Sequence, residues 1–132
     1  MSLELTASMM CANYGNLEKE VTELQNAGID SFHIDIMDGR YVPNFAMSLN
    51  DMKYIASATK KPLDVHLMIT DPQKYADSFI KAGADLVNFH VEANCDAEEL
   101  LKHIKSQGVK TAITIKPKTA AEDVFKYLPL CD

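Results

Sequence analysis

Five apolar or β-branched stretches, near residues 3–9, 31–37, 63–69, 86–92 and 110–115, have the character of strands. Each is followed by apolar positions at helical spacing, near 16–27, 47–58, 72–83, 96–107 and 119–128. The chain therefore reads as five βα units. Gly28, Gly83 and Gly108 fall just past three of the predicted helices, where a left-handed closing residue costs little only for glycine. Asp71-Pro72 offers an N-cap acceptor ahead of a proline at the first helical position, and Asp96 with Glu99 has the spacing of a capping box.

Strands that alternate with helices pair in parallel through right-handed crossovers, which leaves an open doubly wound sheet or a closed barrel. The parity of the side chains separates the two. In the second strand Phe32, Ile34 and Ile36 make one apolar face, and His33, Asp35 and Met37 make the other. In the third, Val65, Leu67 and Ile69 oppose Asp64, His66 and Met68. In the fourth, Val87, Phe89 and Val91 oppose Asn88, His90 and Glu92. A strand buried on both faces of an open sheet reads as a continuous apolar run, so three polar inner faces favour a barrel with a site at one mouth. Neither G-x-G-x-x-G nor G-x-x-x-x-G-K-[ST] occurs to argue for a nucleotide-binding open sheet.

A (β/α)₈ TIM barrel takes about 250 residues. Residues 1–132 hold about five of its units as a single domain, with Leu130-Cys131-Asp132 reading as the start of a sixth strand. The expectation is the N-terminal part of a TIM barrel that lacks its last strands. Such an arc belongs to a longer protein or is completed by another copy, and a homo-oligomer is expected.

Composition narrows the function. Of 132 residues, 47% are hydrophobic and 24% charged, the balance of an ordinary globular domain. The net charge of −6 is spread along the chain without a block of Lys or Arg, which argues against nucleic-acid binding. No apolar run approaches the roughly 20 residues of a membrane helix, and no basic-then-apolar leader opens the chain, so a cytoplasmic location is expected. Cys11, Cys95 and Cys131 are far apart and read as reduced thiols.

His33 and Asp35 lie two residues apart on one strand, hence on one face, and His66 can add a second imidazole from the next strand. Such a set suits one divalent metal ion, Zn²⁺, Fe²⁺, Mn²⁺ or Co²⁺. Interior polar residues satisfying one another is the competing reading. Met37 and Met68 lie inward beside them, as core filling or as the walls of a small planar intermediate. Ser8 is inward on the first strand if Leu5 and Ala7 face the helices, and its hydroxyl can meet a ligand. His90 and Glu92 read as a hydrogen-bonded interior pair, and His103, beside Lys102 and Lys105, as solvated.

Several stretches, in order, cover essentially the whole chain: Ala7-Ser8, F-H-I-D-I-M-D-G-R-Y-V-P-N at 32–44, K-P-L-D-V-H-L-M-I at 61–69, A-G-A-D at 82–85 and H-V-E-A at 90–93. On them the sequence resembles the ribulose-phosphate 3-epimerase family, including its hexulose-phosphate branch. The resemblance implies that His33, Asp35 and His66 bind a divalent metal and that Asp35 is one of two acid/base carboxylates. It also implies that Ser8 and His66 contact the substrate and that Met37 and Met68 flank its intermediate. The substrate implied is a small phosphorylated ketose, D-ribulose 5-phosphate, with D-allulose 6-phosphate as the runner-up. The implied reaction removes the C3 proton, gives an enediolate and returns a proton to the opposite face. The second aspartate and the phosphate site are implied on later strands. Lys116 departs from the family, which commonly has asparagine before the proline of Ile115-Lys116-Pro117. Two alternatives stand beside this reading: a non-catalytic half-barrel that binds partners through its edge, and a phosphate-binding barrel running decarboxylation or aldol chemistry.

Overall fold

The computed structural model describes residues 3–132. Five parallel strands form one sheet: β1 (Thr6–Ser8), β2 (Ser31–Asp38), β4 (Leu63–Met68), β5 (Leu86–His90) and β6 (Lys110–Thr114). Their spatial order is their chain order, as an arc of a barrel requires, and a two-residue strand β3 (Phe45–Ala46) folds back antiparallel on β2. Four helices connect them: α1 (Leu17–Asn26), α2 (Leu49–Ala58), α3 (Pro72–Lys81) and α4 (Ala97–Ser106). The fold is α/β, a partial TIM barrel.

The predicted parity decides which face is which. Phe32, Ile34, Val65, Leu67, Val87 and Phe89 are fully buried on the outer face, joined in one core with Val21 of α1, Met52 and Ile55 of α2, Phe79 of α3 and Leu100, Leu101 and Ile104 of α4. Burying apolar area on one face leaves the other free for polar side chains, and there the site lies.

The sequence expectations are corrected in several places. β1 is shorter than its apolar pattern, and Leu5 is 57% exposed instead of facing the helices. Ala7 does pack against the core. The last helical segment is 3₁₀, Ala121–Leu130, and it contains Pro129, which cannot donate an α-helical hydrogen bond. Asp71 does not cap α3, because its carboxylate is taken by the Asn94 side-chain amide at 2.7 Å; Pro72 does open the helix. Asp96 accepts from Glu99 N at 3.0 Å, but its own N–H goes to Gln73, so the capping box is half formed. The complete box is Ser48 with Asp51 at the start of α2. Gly83 (φ 106°) and Gly108 (φ 78°) take the left-handed conformation expected past their helices.

Three aspartates share one way of starting a strand. Asp30, Asp85 and Asp132 donate backbone N–H to the carbonyls of Leu5, Leu63 and Thr111 at 2.7, 3.0 and 2.9 Å. Their carboxylates accept the N–H of those same residues at 2.7, 2.9 and 3.1 Å. Each clamp fixes register at the end of the sheet away from the site. Leu130, read from sequence as the opening of a sixth strand, instead closes the 3₁₀ helix.

Candidate metal centre

The stagger of parallel strands turns the inner face into two polar rows. Ser8 pairs with His33 in the ladder, and its Oγ donates to Asp35 Oδ2, two residues further on, at 2.6 Å. Asp35 pairs with His66, whose Nδ1 lies 3.3 Å from Asp35 Oδ1. His66 pairs with Asn88, and its Nε2 reaches His90 Nε2 at 3.0 Å. The first row is thus Ser8, Asp35, His66 and His90, one side chain from each of β1, β2, β4 and β5.

The second row begins at His33, whose Nδ1 meets Asp64 Oδ2 at 2.7 Å. Asp64 Oδ1 accepts from Asn88 Nδ2 at 3.4 Å, and Asn88 Oδ1 accepts from Thr114 Oγ1 at 2.7 Å. The rows join where His33 Nε2 lies 3.2 Å from Asp35 Oδ1. Met37 and Met68 are ladder partners at the strand ends, both half-buried. Met37 also lines a cleft of about 650 Å³ with Met10, Tyr14, Met47 and Ser48, a cleft to which none of His33, Asp35 and His66 contributes.

These contacts set the charges. Burial works against ionising Asp35, which is 8% exposed, but hydrogen bonds from His33, His66 and Ser8 outweigh it and hold the carboxyl well below the usual range. Hydrogen bonding to Asp35, then to Asp64, raises His33 to about 10. Burial, followed by the charge of His66, pushes His90 down, toward a neutral ring. The Asp38 carboxylate takes the N–H groups of Arg40, Tyr41 and Thr70, pinning the loop after β2 to the end of β4. Burial opposes its ionisation, yet those donors lower it to about 2.

One oxygen or nitrogen each from His33, Asp35 and His66 lies within 4.8 Å of the others, a span that one cation can bridge. Two imidazoles and a carboxylate suit a divalent transition metal. The outward nitrogens of both imidazoles are engaged by Asp64 and His90, the arrangement that fixes ring orientation at metal sites. The residues present therefore fit the group.

A titration follows from the charges. Without metal, His33 is protonated across neutral pH, and its ion pairs stabilise the fold fully below about pH 6.5 and no longer once pH passes about 10. A metal must displace that proton, so affinity is expected to rise about tenfold per pH unit between roughly pH 6.5 and 8.5, with proton uptake by the buffer. Calorimetry in buffers of different ionisation enthalpy measures both; an affinity flat with pH would contradict the assignment of His33.

The structure brings Ser8, His33, Asp35 and His66 together as a contiguous set. The expected His90–Glu92 pair is adjacent but not hydrogen-bonded: β5 ends at His90, and His90 Nδ1 lies 3.5 Å from Glu92 Oε2 without a hydrogen-bond partner. Glu92 instead accepts from Tyr41 OH at 3.1 Å, from Lys116 N at 2.7 Å and from Thr119 Oγ1. Burial opposes its ionisation, but those donors hold it at about 2. Lys116 Nζ lies 3.8 Å above the Tyr41 ring. His103, exposed as expected, pairs with Asp77 at 2.7 Å. The sequence reading gave no role to Asp64, Asn88 and Thr114, although the inward parity of Asp64 and Asn88 was visible.

A ribulose-phosphate 3-epimerase from Synechocystis sp. is 38% identical over 99% of this chain and 58% of its own length. One from Bacillus subtilis is 37% identical over 97% and 60%, and a cytoplasmic isoform from Oryza sativa is 36% identical over 92% and 54%. The chain thus spans between half and three-fifths of the length of these relatives. Among solved structures, the tryptophan synthase alpha chain of Legionella pneumophila superposes with a TM-score of 0.66 at 15% identity, over 98% of this chain and 57% of that one. The N-(5'-phosphoribosyl)anthranilate isomerase of Pyrococcus furiosus gives 0.60 at 14%, over 96% and 60%. At such identities the likeness is one of fold. The sequence model of the ribulose-phosphate 3 epimerase family matches residues 4–132, and with that match the chain belongs to the ribulose-phosphate 3-epimerase family.

Proposed function

We propose that residues 1–132 form a single domain, the N-terminal part of a TIM barrel, in a metal-dependent 3-epimerase that interconverts D-ribulose 5-phosphate and D-xylulose 5-phosphate. The carrying observation is the convergence of His33, Asp35 and His66 on one point of the inner face, with Ser8 bonded to Asp35. Family membership supports the substrate class.

Asp35 acts as the base toward the C3 proton. Held ionised by Ser8, His33 and His66, it is fully available at neutral pH, at a cost in basicity. Ser8 and the imidazole edge of His66 face the substrate oxygens, and Met37 and Met68 wall the planar intermediate with soft apolar surface. Zn²⁺, Fe²⁺, Mn²⁺ or Co²⁺, when bound, supplies the positive charge that favours loss of the proton next to the C2 carbonyl. Inversion requires a second acid on the opposite face, which the resemblance implies on a later strand.

No helix among the described residues is long and apolar enough to cross a membrane. A cytoplasmic homo-oligomer without nucleic-acid partners completes the reading. The test is chelation: stripping divalent metal should abolish 3-epimerisation, and adding back one of the four ions should restore it. Full turnover by metal-free protein would overturn the reading, and faster turnover of D-allulose 6-phosphate would move it to the hexulose branch.

A further inference from the structure

We infer that His90 is a positioning residue for His66, holding that ring in the tautomer that can bind metal; this rests on the metal reading above. His66 presents Nδ1 to Asp35 Oδ1 at 3.3 Å and Nε2 to His90 Nε2 at 3.0 Å. A neutral imidazole carries one proton, so a ring that binds metal through Nδ1 must carry it on Nε2. The nitrogen facing that proton must then accept, which puts the His90 proton on Nδ1.

The surroundings of His90 allow this state. His90 Nδ1 is buried without a hydrogen-bond partner, and Glu92 Oε2 lies 3.5 Å from it. A proton there faces a carboxylate that Tyr41, Lys116 N and Thr119 hold in place. The Tyr41 and His66 rings each have their centroid 5.1 Å from that of His90, and the His66 plane is within 20° of the His90 plane, so the two imidazoles meet edge to edge through their Nε2 atoms. Metal binding at one end of the row thus selects one proton arrangement across two imidazoles, and Glu92 favours that arrangement from the other end. Asp64 serves His33 in the same way with a carboxylate; at His66 a second imidazole takes that part.

The test compares Zn²⁺ affinity of the protein with that of His90→Leu, which removes the acceptor, and His90→Gln, whose amide oxygen restores one near the Nε2 position. Loss of an outer partner typically weakens metal binding 10–100-fold. His90→Leu is expected to lose about that much and His90→Gln about threefold or less. Ring ¹⁵N spectra of the unsubstituted Zn²⁺ protein give a readout independent of variant folding: His66 should carry its proton on Nε2 and His90 on Nδ1. Equal Zn²⁺ affinity in His90→Leu, or His90 protonated on Nε2 in the loaded protein, would overturn the inference while leaving the metal centre standing. Failure of the unsubstituted protein to take up any Zn²⁺, Fe²⁺, Mn²⁺ or Co²⁺ would overturn both.

Discussion

Asp35→Asn is expected to lower 3-epimerase turnover by about 10⁴-fold or more and to strip the protein of divalent metal. A positioned general base contributes about 10²–10⁴-fold by itself, and here the same carboxylate is the anionic donor of the cluster. Asparagine keeps the shape and an oxygen for the Ser8 hydroxyl, so the fold should persist with an unchanged circular dichroism spectrum. The amide cannot accept the C3 proton and adds no negative charge beside two imidazoles. His33 retains Asp64, so its raised pKa should fall from about 10 without returning fully to the ordinary value. Turnover above roughly 1% of the parent would remove Asp35 from the role of base.

Phe89→Ala should have the largest effect on stability. Phe89 is fully buried on the outer face of β5, flanked in the ladder by Leu67 of β4 and Ile113 of β6 and packed in the same core as the α4 residues. Truncating a buried phenylalanine costs about 3–5 kcal/mol through lost transfer energy and the cavity left behind. Against a total of about 5–15 kcal/mol that is a large fraction, and Tm should drop by roughly 10–20 °C. Phe125→Ala, at a position 56% exposed, is the control and should cost under about 1 kcal/mol. Equal losses at the two positions would mean that the core does not lie between the sheet and the helices as described.

Much of the fold was legible because a strand alternates with period two. That alternation separated Phe32, Ile34 and Ile36 from His33, Asp35 and Met37, and hence core from site. What it did not contain was stagger. His33 facing Asp64 follows from direct pairing, but Ser8 reaching Asp35 and His66 reaching His90 depend on a two-residue offset between neighbouring strands. That offset is set by the tilt of the sheet, so His90 was assigned only to Glu92, two residues on, and its hydrogen bond to His66 on the next strand was missed. Helix ends showed the same limit: Asp71 had the spacing of a cap, yet Asn94, 23 residues away, takes its carboxylate. The strand clamps were half visible, since Gly28-Ile29-Asp30 and Gly83-Ala84-Asp85 repeat a pattern that Gly108-Val109-Lys110 breaks.

A half-barrel that only binds partners would use its sheet edge and have no use for two converging hydrogen-bonded rows. The measurement that separates these accounts is deuterium wash-in, with D-ribulose 5-phosphate incubated in D₂O with the metal-loaded protein and read by NMR. The epimerase account predicts deuterium at C3 of ketose recovered from the mixture, abolished by Asp35→Asn. A C3 proton that stays in place while the protein holds its metal would contradict it.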